Sequence, residues 1–299
     1  MIDFRPVSLK DRDWISEIAL ADGTRSLNYN FSVIYVWNAT YNQYFCRLGD
    51  RLLAHSVWRG HSSYCFPIGS GPLQPAVDAL IEHTGQISEP LIMEGLEERH
   101  MQALDSLYPG KFIFEEDAGE EDYVYSASAL ASYSGKPLHG KRNHCNRFES
   151  EHEWSFIALT PDMFDECRSM LKIWSIRNES RLDKSISEEY EAIDRAFENW
   201  SELSLEGGIL IADGSTAAFS VGCTCGRDCF DVLFEKADID LNGAYPMICR
   251  ELSKHVIVNH PEITYINREN DLGLESLRIS KLSYHPDFLI HKYIARYCP

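Results

Sequence analysis

Positive charge is scarce in this 299-residue sequence: 28 lysines and arginines stand against 46 aspartates and glutamates, a formal charge of -18. That balance argues against a protein that coats DNA or an anionic membrane, because phosphate binding relies on clustered cations. It leaves room for a local basic site. No run approaches the roughly 18–20 apolar residues needed to span a bilayer, so no transmembrane segment is expected. The opening, MIDFRPVSLKDRDW, lacks the apolar core of a secretory signal. A cytoplasmic protein with reduced thiols is therefore expected. Paired C-x₂-C spacing is missing as well. Cys223, Cys225 and Cys229 form the densest group among nine cysteines, with no fourth ligand nearby. Small buried side chains on a strand account for them, and no metal is expected. The aromatic residues follow no repeat that would build a stacking platform for single strands.

What is present is the composition of a folded protein, 44% hydrophobic and 25% charged. The second half reads most easily. EWSFIAL alternates like a strand, and Thr160-Pro161 caps a helix carrying Phe164, Cys167, Met170, Leu171 and Trp174 at helical spacing. Ser187, with Glu188 and Glu189 behind it, opens a second helix. GILIADG, TAAFSVGCTCG and CFDVLFEKAD follow as three strands, parted by the turn residues Asp213-Gly214 and Gly226-Arg227-Asp228. A helix at 245–260, a strand at TYIN, a helix at LESLRISKL and a terminal strand or hairpin at DFLIHKYIARY complete the half.

The first half repeats that order, β-α-α-β-β-β-α-β-α-β, with negligible sequence identity, which suggests a structural duplication. The order resembles that of the GNAT acyltransferase fold. The expected class is α+β: two tandem GNAT-like domains, each a mixed, mainly antiparallel sheet flanked by helices. The expected boundaries are 1–134 and 153–299, with a connecting segment at 135–152.

That connector contains GKPLHGKRNHCNRF, which holds Lys136, Lys141, Arg142 and Arg147 and no carboxylate. Three readings fit it. It is a joint whose charges pair with the acidic run at 115–122. Or it is an anion site in which Lys141, Arg142, His144 and Arg147 meet a phosphate. Or it receives the acceptor stem of a tRNA.

Together with FDVLFEKAD (230–238) and YINRENDLGLESLRISKLSYHP (265–286), this segment resembles a family related to the C-terminal catalytic domain of bacterial phosphatidylglycerol lysyltransferases. The resemblance spans nearly the whole chain. It implies a tandem acyltransferase-type fold, also used by transferases that take amino acids from aminoacyl-tRNA, so an acyl-CoA or an aminoacyl-tRNA is the implied donor. The membrane-spanning region of the lysyltransferases has no counterpart in this sequence.

In acetyltransferases of this fold the loop before the fourth-strand helix offers backbone N–H groups to the coenzyme A pyrophosphate. The equivalent loop here, KADIDLNGAY, provides Gly243 for close approach, but Asp238 and Asp240 repel phosphate. In the first half the equivalent loop is FPIGSGPL, with Gly69 and Gly71 and no cation. Asn267 to Asp271 are placed at a strand end where the sheet splays to admit substrate. Arg278 and Lys281, three apart on the next helix, share a face and are expected to hold an anion together with Asn267. Glu235 or Glu269 is the expected base toward an amine, and Tyr284 the proton donor to a leaving group. Ion pairs of Arg278 and Lys281 with Glu269 and Asp271 are the purely structural alternative. The expected activity is therefore acyl or aminoacyl transfer to an amine, with the site in the C-terminal domain near the domain interface. A catalytically silent module binding a small anion or a protein partner is the alternative.

Overall fold

The fold is given by a computed structural model, which describes residues 2–177 and 184–299. The chain forms two compact units: residues 1–122, 270–275 and 289–299, and residues 123–269 and 276–288.

In the first unit the chain runs β1 (Arg5–Pro6), α1 (Arg12–Asp22), α2 (Phe31–Tyr41), β2 (Gln43–Leu48), β3 (Arg51–Trp58), β4 (His61–Cys65), β5 (Ile68–Gly69), α3 (Leu73–Ile87), β6 (Ile92–Leu96), α4 (Glu98–Leu107) and β7 (Phe112–Glu116). The meander β2-β3-β4 is antiparallel, and β4 meets β6 in parallel, as a crossover through α3 requires. Asn30 starts α2 by accepting the Ser32 N–H at its side chain, which overrides the β-propensity of FSVIYVW. Leu52 and Leu53 on β3, Met93 and Leu96 on β6, Ile15, Val77, Leu80 and Leu104 are buried together in the core of this unit.

The second unit runs β8 (Asp122–Ser126), α5 (Ala127–Ser132), α6 (His139–Glu151), β9 (Trp154–Ala158), α7 (Phe164–Arg177), α8 (Lys184–Glu198), β10 (Glu206–Ala212), β11 (Ser215–Cys225), β12 (Cys229–Ala237), α9 (Ala244–Asn259), β13 (Tyr265–Asn267), α10 (Glu275–Leu282) and β14 (Phe288–Ile290). Its sheet order is β14-β8-β13-β12-β11-β10-β9. Asp213 and Gly214, with φ of 51° and 78°, close the β10–β11 hairpin in the left-handed conformation that such turns require. Ile248, Leu252 and Val256, four residues apart on α9, are buried against β10, β11 and β12. Each such side chain contributes roughly 1.5–3 kcal/mol on burial. Cys223, Cys225 and Cys229 are buried on β11 and β12, and all nine cysteines are free thiols.

Both halves therefore contain the mixed, mainly antiparallel sheet flanked by helices that the element order predicts. Two details differ. The helix expected to open at Ser187 begins at Lys184. The compact units also do not coincide with contiguous halves. The last strand, β15 (Tyr293–Tyr297), lies between β6 and β7 in the first sheet, so DFLIHKYIARY is two strands in two sheets, not a hairpin. In return β8, next to the acidic run, pairs with β13 in the second sheet. The reason is burial: Tyr123, Val124 and Tyr125 are all buried, a continuous apolar triplet of the kind an interior strand needs.

Candidate functional site in the second unit

The parallel pairing of β12 with β13 lasts only three residues, Cys229 with Tyr265, Phe230 with Ile266 and Asp231 with Asn267. Beyond it β12 continues to Ala237 while β13 ends. The strands part at this point, and the residues that follow carry the site.

Arg268, the first residue past β13, reaches across the gap. Its Nη2 donates to Glu235 Oε1 on β12 at 2.7 Å. Both side chains are withdrawn from water, Glu235 with 9% and Arg268 with 12% of its surface exposed. The pair is incomplete: Glu235 Oε2 and Arg268 Nη1 are buried and make no hydrogen bond among the described residues. A buried polar atom left without a partner costs about 1–3 kcal/mol, and more when charged, so two together mark a place where a ligand would be stabilised.

Tyr284 lies beside this pair, 3% exposed. Its ring has Arg268 Cζ 4.4 Å and Lys141 Nζ 3.6 Å from its centroid, so two cations share one aromatic ring. Burial pushes the Tyr284 hydroxyl well above its usual value, so it stays protonated. Burial opposes the charge on Arg268, but Glu235, with smaller contributions from Cys249, Tyr284 and Tyr125, outweighs it and the guanidinium is held charged. Lys141 has no such partner. Burial, and then the neighbouring Arg268, pull its ammonium down to about 8.

The loop holding Arg268 is fixed by residues expected to bind substrate. Lys281 Nζ donates to the Arg268 carbonyl, and to that of Glu269 at 3.3 Å. Asn267, fully buried, accepts the Glu269 N–H at its Oδ1 at 2.7 Å. Glu269 takes a φ of 58°, and its carbonyl accepts the Tyr123 N–H. Asn267 and Lys281 thus build the turn that presents Arg268. Arg278 sits one turn before Lys281 on α10, partly exposed.

The basic segment forms α6, and its cations divide. Arg142 donates to the carbonyls of Tyr133 and Gly135, so it ties down the chain that leads into the helix. Arg147 pairs with Glu151 on the exposed face. His144, also exposed, bonds Asn242 Oδ1 through its Nδ1 at 3.0 Å. Lys141 alone of these turns to the site, because it shares a face with the buried Cys145 and Phe148. Arg250 of α9 anchors the helix through Glu149.

The two glycine loops serve packing. Gly243, N-cap of α9, has a φ of 96°, and a Cβ there would come within 2.6 Å of the His144 carbonyl and 3.2 Å of Phe148 Cβ. Its bareness lets α6 pass. In the first unit the Gly69–Gly71 loop turns its carbonyls inward: the Arg51 guanidinium donates to those of Pro67, Gly71 and Pro72. A shallow depression of about 290 Å³ on α7 and β11, lined by Asp165, Glu166, Met170 and Thr216 among others, holds none of the predicted site residues. Among the described residues no group of three or more His, Cys, Asp or Glu is placed to hold a metal ion, and no helix is long and apolar enough to cross a membrane.

Arg268 is absent from the residues the sequence singles out, although it stands in the quoted NREN run. Strand alternation gives the signal: Ile266 and Arg268 fall on the same side of the chain, and Arg268 is the one cation between β13 and Asp271.

The strand order, the parting of β12 from β13 and the flanking helices define a tandem GNAT-like protein. Residues 23–296 match the family model described as phosphatidylglycerol lysyltransferase, C-terminal, and the chain belongs to that family. A conserved protein of unknown function from Bacteroides thetaiotaomicron is 33% identical, with all of both chains covered and a TM-score of 0.95. L-PGS from Bacillus licheniformis is 15% identical over 99% of this chain and 94% of its own, with a TM-score of 0.69, a likeness of fold. An uncharacterized protein of Mycoplasmoides gallisepticum is 25% identical over 293 residues, 90% of this chain and 88% of the relative.

Proposed function

We infer that this chain transfers an acyl or aminoacyl group to an amine, and that it does so at the Arg268–Glu235 pair of the second unit. The observation that carries the reading is the incomplete buried ion pair at the parting of β12 and β13. Arg268 Nη1 is suited to the oxygen of an ester carbonyl, where negative charge grows as a nucleophile adds. Glu235 Oε2 is suited to the N–H of an amine held against that carbonyl. Membership of a family described by lysyl transfer favours an aminoacyl donor. The surroundings of Gly243 weigh in the same direction, since a pyrophosphate lodged at the start of α9 needs space that the α6 backbone occupies. Nine free thiols suit a reducing cytoplasm.

Calorimetric titration with a non-hydrolysable 3′-aminoacylamido-adenosine and, separately, with acetyl-CoA tests this. The aminoacyl compound should bind and acetyl-CoA should not, and Arg268→Met should abolish the binding. Equal binding by the variant, or tight binding of acetyl-CoA alone, would remove the basis for the assignment. Tight binding of simple phosphate, with no turnover of any ester, would favour a silent anion-binding module.

A further inference from the structure

Four ionisable side chains meet at the site, and three are committed. Glu235 Oε1 is engaged by Arg268. Arg268 is held charged, and Tyr284 is held protonated by burial. Cys249 of α9, the next group within electrostatic reach, is buried, and its thiol is pushed up to about 11. Lys141 is different. Its ammonium rests on the Tyr284 ring, and no carboxylate lies within ion-pair distance of it among the described residues. The groups facing it are Arg268 past β13, Glu235 on β12, Cys249 on α9, Cys145 on its own helix and Tyr284. Glu235 is the one carboxylate among them, and its Oε1 is already engaged by Arg268.

We propose that Lys141 is the proton-transfer residue of the site, its amine taking the proton of the attacking nitrogen. The assignment rests on the transferase reading above. As the acceptor R–NH₂ adds to the ester carbonyl, the new C–N bond forms and the carbonyl electrons move to the oxygen facing Arg268 Nη1. The nitrogen's proton passes to Lys141 Nζ. The C–O bond then breaks, and the departing oxygen takes that proton from the Lys141 ammonium. Ester and amine give amide and alcohol, and Lys141 ends as it began. An amine titrating near the working pH is matched to both halves of this exchange, whereas an ordinary lysine would remain charged and idle. The half-buried position of Lys141 beside a second cation is the local cause, since burial and a like charge both disfavour the ammonium.

Two measurements on the full chain decide it. Competitive labelling with trace acetic anhydride from pH 6 to 11, read by peptide mass spectrometry, should give Lys141 a half-reaction point near 8, with surface lysines near their ordinary value. A Lys141 half-point at 10 or above overturns the proposal whatever the activity. Aminolysis of a lysyl thioester or oxygen ester by glycinamide should fall by about 100-fold or more in Lys141→Arg, which keeps the cation over the ring, and should lose its rise near pH 8. A variant that melts like the parent and transfers at the parent rate with the same pH profile overturns the assignment of Lys141 alone. No transfer by the parent with any ester overturns the transferase reading, and the role of Lys141 with it.

Discussion

Replacing Glu235 with alanine leaves the Arg268 guanidinium in a nearly closed site, 12% exposed, with no counter-charge. Removing one partner of a buried pair costs about 3–5 kcal/mol, because the remaining charge has lost its water and its carboxylate together. The Glu235–Arg268 contact is a single hydrogen bond and not a bidentate clamp, so the lower end, about 3 kcal/mol, is expected. For a folding unit of this size that corresponds to a fall in melting temperature of about 6–12 °C. Glu235→Gln keeps an oxygen for Arg268 and should cost only about 1–2 kcal/mol. The double variant Glu235→Leu, Arg268→Met removes both charges, and an apolar replacement of a buried pair is close to neutral, so it should recover to within about 1 kcal/mol of the parent. Thermal melts followed by tryptophan fluorescence on the two single variants and the double complete the cycle. If each single change costs less than about 0.5 kcal/mol and the two add without coupling, the charges are solvated and the account of the site is wrong.

The remaining expectations concern packing and pH. Gly243→Ala sets a Cβ against the His144 carbonyl at a φ of 96°, and should lower stability by about 2–3 kcal/mol in denaturant titration; an unchanged midpoint would mean that α6 does not lie there. Lys141 has its folded-state value depressed to about 8 from an ordinary 10.5, so the folded chain binds fewer protons than the unfolded one between those values and stability should rise with pH across that window. Lys141→Met should flatten the rise and stabilise the chain by about 1–2 kcal/mol at pH 7, the desolvation cost less the lost ring contact; an unaltered slope would refute it. Burial, and then Asp117, push Glu120 up to about 7, so its stability contribution is complete below about 4.5 and is lost as pH rises through 7. Glu120→Gln can still accept from Asn270 and should melt higher than the parent at pH 8 and equal to it at pH 4.5; a lower melting point at pH 8 would show that the carboxylate is stabilising.

The fold was legible because it is written in periodicities that survive divergence. Helical spacing in α7 and α9, turn residues at Asp213-Gly214 and the repeated element order are local signals, and the structure follows them. The exchange of β8 and β15 between the sheets was not legible, since strand partners are set by long-range burial that a single sequence does not display. The site was legible by segment and less so by atom. The run at 265–286 and Glu235 fall at the strand ends where β12 and β13 part. Whether Asn267, Arg268 or Lys281 faces the gap depends on the φ of one residue, Glu269, and on which carbonyls Lys281 reaches. Likewise the sequence marks 135–148 as basic without telling the tether Arg142 from Lys141, which lies over the Tyr284 ring. That distinction arises only when Cys145 and Phe148 turn one face of α6 inward.

The central claim is that Arg268 acts on a carbonyl in a transfer to an amine, and label transfer tests it most directly. Charged tRNA bearing a radiolabelled amino acid is incubated with the full chain and a panel of primary amines, and the label is followed from ester to amide. The account predicts amide formation by the parent chain and a loss of about 100-fold or more in Arg268→Met, with the variant still folded. Label that remains on the tRNA in every reaction, or amide formed equally fast by Arg268→Met, would contradict it.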